Sequence, residues 1–180
     1  MRNRVIECGV ITSALLLSSC IFALQGGSAW RKPGFQIPTG AAIVLSDIAD
    51  GSGGDGTMPG SGGLISTKLT QQLMARGLQV MAGGSSDKAQ LLREASERRI
   101  PYVLVARITR WEDNATEWSS KRDSAGVSME LYDSATGEVV VSGDRSTQGV
   151  YQPDRCADVL ARNLVKQLFG ERVPQENPQC

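Results

Sequence analysis

Between Arg110 and Asp123 the chain crowds together the side chains best able to do chemistry: Trp111, Glu112, Asp113, Thr116, Glu117 and Trp118. Glu112 or Asp113 with Glu117 makes the kind of carboxylate pair that cleaves a glycoside. One carboxyl protonates the leaving oxygen while the other works from the opposite side. The two indoles would then be platforms for sugar rings. The same stretch has a plainer reading. Arg110, Lys121 and Arg122 supply cations in near-equal number, and a nearby cation keeps a carboxylate ionised rather than raising its pKa. The acids then pair across a hairpin end, the two Trp cap a sheet, and the segment serves as structure or as a surface for a partner or ligand. Composition favours this second view. The chain contains no histidine, so the commonest general base, nucleophile activator and metal ligand is missing. No residue is assigned a catalytic role, no metal or cofactor is expected, and the chain reads as a non-enzyme.

A glycine motif also invites chemistry and fails on context. Gly51, Gly53 and Gly56 satisfy G-x-G-x-x-G spacing after an apolar run. A dinucleotide loop needs its last glycine at the opening of a helix, and here Thr57-Met58-Pro59-Gly60 intervenes. Asp47, Asp50 and Asp55 do not fall at EF-hand spacing. Gly51 to Gly63 therefore reads as a long loop that binds neither nucleotide nor Ca²⁺. Nineteen basic and nineteen acidic residues balance to zero formal charge, so no global field draws the chain to nucleic acid.

Cysteine chemistry is more specific. Arg2 and Arg4 form a basic start, Val10 to Leu17 is an apolar run too short to span a bilayer, and Leu17-Ser18-Ser19-Cys20 follows. That ending resembles the bacterial lipobox, where small side chains precede a cysteine whose thiol takes a thioether-linked diacylglycerol. Residues 1–19 are then a lipoprotein signal peptide and Cys20 the acylated mature N-terminus. Several acyl chains, at about 0.8 kcal/mol per buried CH₂, anchor a protein to the membrane durably. Ile21, rather than Asp, in the next position implies sorting to the outer membrane, with the domain facing the periplasm. The alternative is ordinary signal-peptide cleavage at Gly27-Ser28-Ala29. Of the other cysteines, Cys156 and Cys180 remain as an even pair in an oxidising compartment, which suggests a disulfide; two unpaired thiols are the alternative.

The elements that must position these groups follow from periodicity. Residues 20–39 are Gly-, Pro- and basic-rich and read as a lipidated tether, 40–170 as one domain, and 171–180 as a tail. Ala41 to Leu45 is a continuous apolar run suited to a buried strand. Ile65, Leu69 and Leu73, widened by Leu64 and Met74, predict a helix stopped by Gly77. A short strand follows from Leu78 to Met81. Ser85-Ser86-Asp87 offers an N-cap to a second helix running to Arg99, with Glu97-Arg98-Arg99 as its last turn. Tyr102 to Trp111 is a β-branched strand. Ser124 to Asp133 and Glu138 to Ser142 flank the turn Ser134-Ala135-Thr136-Gly137, with Val127, Met129 and Leu131 alternating against Ser128, Glu130 and Tyr132. Pro153 opens a last helix with Ala157, Leu160, Ala161, Leu164 and Leu168 on its apolar face and Gly170 at its end. The order β-α-β-α-β-β-β-α specifies an α/β (α+β) fold, a mixed sheet with helices packed against it.

The charged loop and the strand after it also carry a family resemblance. Trp111, Glu112, Asp113, Thr116, Glu117, Trp118 and Ser119, then Asp133 to Glu138, resemble the WED–TEW–S and acidic–Ala-Thr-Gly–acidic pattern of a family of small proteobacterial lipoproteins described as a domain of unknown function. The lipobox and Gly60-Ser61-Gly62 agree with it, while Thr147 to Tyr151 departs from it. The element order is also similar to the amino-terminal domain of Tol B and to the periplasmic domains of curli and Pel export lipoproteins. The family resemblance implies a fold but little biochemistry. By fold-level analogy with the translocation and export proteins, the chain reads as a scaffold or assembly module of a cell-envelope complex, held to the membrane by lipid. The expected partners are an envelope protein or further copies of the same chain, and no nucleic acid or nucleotide is expected from the balanced charge and the broken glycine motif. The alternative function is a glycan-binding protein or hydrolase that uses the Trp111–Trp118 loop.

Overall fold

The computed structural model describes residues 27–53, 56–112, 123–149 and 152–173. Their elements run β1 (Ala29–Arg31), β2 (Ala42–Leu45), β3 (Ser52–Gly53), β4 (Gly56–Thr57), α1 (Ser61–Ala75), β5 (Gln79–Ala82), α2 (Lys88–Glu97), β6 (Tyr102–Glu112), β7 (Asp123–Asp133), β8 (Val139–Gly149) and α3 (Pro153–Leu168). The predicted order of helices and strands is present, with β1 and the small β3–β4 pair added.

The main sheet has the order β1-β8-β7-β6-β2-β5. The helical crossovers place β5 and β6 parallel to β2, one on each side. Hairpin connections make β6, β7 and β8 antiparallel neighbours, and β1 joins the far edge by pairing antiparallel with β8 across a long sequence separation. The sheet is therefore parallel at one end and antiparallel at the other, because only a helix is long enough to return the chain in the same direction.

Side-chain alternation sorts the core into two layers. Ile43, Leu45, Leu104, Val127, Met129 and Leu131 pack with α1 and α3 through Leu69, Leu73, Leu160 and Leu164. Val44, Val103, Val105 and Tyr132 point the other way, onto Leu91 and Ala95 of α2. In β8 a register shift opposite Leu131 and Tyr132 lets adjacent Val140 and Val141 both enter the larger layer, as a bulge does by inserting one extra residue.

The helix ends follow local chemistry. Asp87 caps α2, accepting from the Ala89 amide at 2.9 Å. That helix stops at Glu97, so Arg98 and Arg99 lie just past the last turn in which the sequence places them, and Arg99 takes a left-handed φ of 55°. Pro101 follows two residues later, where a continuing helix would clash. Pro153 begins α3, and Gly170 leaves it at φ 73°. Met74, expected to widen the stripe of α1, is 59% exposed.

The expected tether is corrected at its C-terminal half. Ala29–Arg31 form an edge strand on β8, in the register Ala29↔Gly143, Trp30↔Ser142 and Arg31↔Val141. Phe35 and Ile37 pack on the core, with the Phe35 ring edge-on to Tyr102 at 5.7 Å. The Arg31 guanidinium donates to the Gln167 and Leu168 carbonyls, satisfying the open end of α3. A three-residue strand between glycine and proline carries no readable alternation. Long-range pairing with β8 makes it.

Candidate functional site

The structure divides the expected surface residues. Trp111 is 1% exposed and belongs to the large core layer, so it is a core side chain and not a platform for a ligand. It lies where the glycine-rich loop crosses β6: a Cβ on Gly51 would stand 2.7 Å from both Trp111 Cβ and Ile108 Cγ2. Glu112 accepts from the Ser124 hydroxyl at 2.8 Å and stands 3.7 Å from Arg110 Nε. The hydroxyl bond crosses the hairpin, and the Arg110 contact lies within β6. Asp113, Thr116, Glu117 and Trp118 lie outside the described residues, as do Cys20 and Cys180. Cys156 is buried in the first turn of α3.

The glycine-rich stretch does not build a phosphate cradle. Asp50 reaches the start of α1, where Oδ1 accepts from the Gly62 amide at 2.8 Å and Oδ2 from the Gly60 amide at 3.0 Å. These two bonds hold the carboxyl below its ordinary range. The chain's own carboxylate thus occupies the position an anion would take at a helix N-terminus. Gly62 admits this close approach, since a Cβ there would lie 2.0 Å from the Ile48 carbonyl oxygen. Among the described residues no group of three or more His, Cys, Asp or Glu could hold a metal ion.

The recess that sequence reasoning missed lies on the sheet face that carries α2. That helix packs with Val44, Val103, Val105 and Tyr132, flanked by Ala42, Met81 and Val139. Beyond it, on the same face, the antiparallel strands present Glu130 and Ser128 from β7, Ser142 and Asp144 from β8, and Arg107 from β6. Their direction follows from their neighbours. Met129 is buried among the α1 and α3 residues, and a Cβ on Gly143 would run into the Gln167 side chain of α3 at 2.4 Å. The residues flanking each therefore point away from those helices. Trp30 sits directly across from Ser142 and is 50% exposed.

Glu130, Ser128, Ser142, Asp144 and Arg107 line a cavity of about 250 Å³ together with Ser28, Val105, Met129 and Gly143, with Trp30 outside its lining. A second cavity of about 370 Å³ shares Val105 and Arg107 with it and adds Asp47, Asp50, Ser86 and Ile108. Side by side, with Val105 and Arg107 lining both, the two cavities make up a trough. It ends just past the carboxyl end of β2, where β6 runs on beyond its parallel neighbour, a place where open α/β sheets leave a crevice for ligands.

Local bonds order the polar side chains. The Tyr132 hydroxyl donates to Glu130 Oε2 at 2.6 Å; burial and that carboxylate push the phenol up to about 12. The Ser28 amide donates to Asp144 Oδ1 at 2.8 Å, and the Ser28 hydroxyl donates to the same oxygen. The only signal for this recess in the sequence is the polar half of the β7 alternation, Ser128 and Glu130.

The chain belongs to the DUF4823 family. The profile of that family, described as a domain of unknown function, matches residues 35–164. No curated protein matches the sequence at a significant level. Among solved structures, the PelC dodecamer from Paraburkholderia phytofirmans is similar at 20% identity and TM-score 0.62, covering 81% of this chain and 99% of that one. A point variant of the same PelC gives 19% identity, TM-score 0.62 and coverage of 79% and 98%. Lipoprotein GNA1162 from Neisseria meningitidis is 13% identical at TM-score 0.48, covering 73% of this chain and 99% of that one. The PelC likeness establishes a shared fold for this DUF4823 domain. It matches the mixed α/β architecture expected from the element order.

Proposed function

We propose that this chain is a lipoprotein of the outer membrane, anchored through Cys20. Its periplasmic domain acts without catalysis as a scaffold or assembly module of an envelope complex. One observation carries the anchoring reading. Cleavage at Gly27-Ser28-Ala29 would cut into β1 and remove Ser28, whose amide and hydroxyl hold Asp144. Cleavage before Cys20 keeps the whole sheet. Cys20 then stands nine residues before Ala29, a reach of about 30 Å when fully extended, so the β1 edge stays close to the bilayer.

The scaffold reading draws support from the burial of Trp111, the pairing of Glu112 and the absence of histidine. PelC shares the fold and is described as a dodecamer, which favours assembly into a homo-oligomer here. A bridge between Cys156 and Cys180 would tie the tail back to α3 and close a loop of about 25 residues, stabilising the domain by about 3 kcal/mol.

Mass spectrometry of the mature protein tests the anchor: a diacylglyceryl adduct on Cys20 is expected, and an unmodified chain beginning at Trp30 would overturn it. Light scattering of the full chain in detergent tests assembly. A multiple of the chain mass is expected; a monomer at every concentration would remove the homo-oligomer.

A further inference from the structure

The trough presents its side chains in two cross-strand rows. Pairing in register places Ser142 and Glu130 in one row across β8 and β7, and Trp30 of β1 continues that row beyond the cavity lining. Asp144, Ser128 and Arg107 form the next across β8, β7 and β6. Tyr132 bonds Glu130 through Oε2 and Ser28 bonds Asp144 through Oδ1, which leaves the other oxygen of each carboxylate as an acceptor. Arg107 is exposed beside them. The surface thus offers held acceptors, hydroxyls that donate and accept, a guanidinium donor with five N–H groups, and an exposed indole.

We propose that this trough binds a linear oligosaccharide of neutral or amino sugars, lying across the strands with one ring stacked on Trp30. Sugar hydroxyls require acceptors and donors side by side, as the two rows supply them. The C–H face of a pyranose carries partial positive charge and packs on the negative face of an indole. Four strand spacings of about 4.8 Å separate β1 from β2, so the trough runs about 19 Å and takes several rings rather than one. Other polymers fit less well. Glu130 and Asp144, with Asp47 and Asp50 at the far end, repel phosphate and uronate chains. An extended peptide joins a sheet by edge hydrogen bonds, whereas β7, at the centre of the trough, is already paired on both sides. The proposal goes beyond the assembly reading and uses a different surface from the Trp111–Trp118 loop.

Calorimetric titration of the full chain in detergent with three tetramers tests it: N-acetylglucosamine, its deacetylated glucosamine counterpart, and galacturonate. Saturable binding of the first or second is expected, at least tenfold tighter than galacturonate. Trp30→Ala, at an exposed position, should weaken it tenfold or more, with Trp30→Phe restoring most of it. Ser128→Ala with Ser142→Ala should weaken it several-fold without moving the unfolding midpoint. No saturable heat from any tetramer at millimolar concentration would overturn the proposal, as would binding that Trp30→Ala leaves unchanged. Light scattering on the same samples keeps the two readings apart: a monomer that binds sugar sinks only the assembly, and an oligomer that does not sinks only the sugar site.

Discussion

In the parallel end of the sheet, β2 and the first half of β6 are enclosed on both faces, by α1 and α3 below and α2 above. In the antiparallel end, β7 and β8 are covered by α3 on one face, while the other carries the trough. The difference is written in the side chains. Tyr102 to Ala106 is buried at every position, whereas β7 alternates buried Val127, Met129 and Leu131 with partly exposed Ser128 and Glu130. A strand enclosed on both sides must be apolar throughout, and one enclosed on one side need be apolar only at every second residue. One end of the sheet is thus built for stability, and the other keeps polar side chains free for contact.

Substitutions should separate buried positions from the open face, and the largest effect belongs to the core. Trp111→Ala should destabilise the domain by about 3–5 kcal/mol, the range for removing a buried aromatic, read as a lowered urea midpoint. Were Trp111 a ligand platform instead, the midpoint would hardly move. Arg31→Ala comes next, because it leaves the α3 carbonyls without their charged donor. A loss of about 2 kcal/mol is expected, and no loss would reduce β1 to a passive edge.

Asp50 probes the loop between the ends. Its folded carboxyl is depressed below the ordinary 3.8, so the stability it contributes is present above that value and is lost as pH falls through the folded one. Urea midpoints measured from neutral pH down to about 2 should fall less steeply in Asp50→Ala than in the parent. Equal slopes would show that the cap does not form in solution. The smallest effect belongs to the open face. Ser128→Ala with Ser142→Ala should stay within about 0.5 kcal/mol of the parent, and a larger loss would mean that the trough is structural after all.

Much of the architecture was legible because it rests on short-range patterns. The 3.6-residue stripes of α1 and α3, the Asp87 cap, the Gly137 turn at φ 70° and the β7 alternation are decided within a few neighbours. The missed features are products of distance. β1 exists only because β8, more than a hundred residues later, offers it a partner. The capping of α1 by Asp50 depends on the loop folding back over ten residues. Trp111 and Trp118 stand as equals in the sequence, and nothing local says that Trp111 enters the core beneath Gly51.

By itself, the sequence determined the order of helices and strands, the mixed sheet and the family, since periodicity, caps and motif residues are local or linear properties. Only the tertiary structure decided that Trp111 is buried and Trp30 half-exposed, what occupies the start of α1, and that Trp30, Ser142, Glu130 and Arg107 share one face. Those facts depend on strand register, and register is fixed by the packing of the whole sheet.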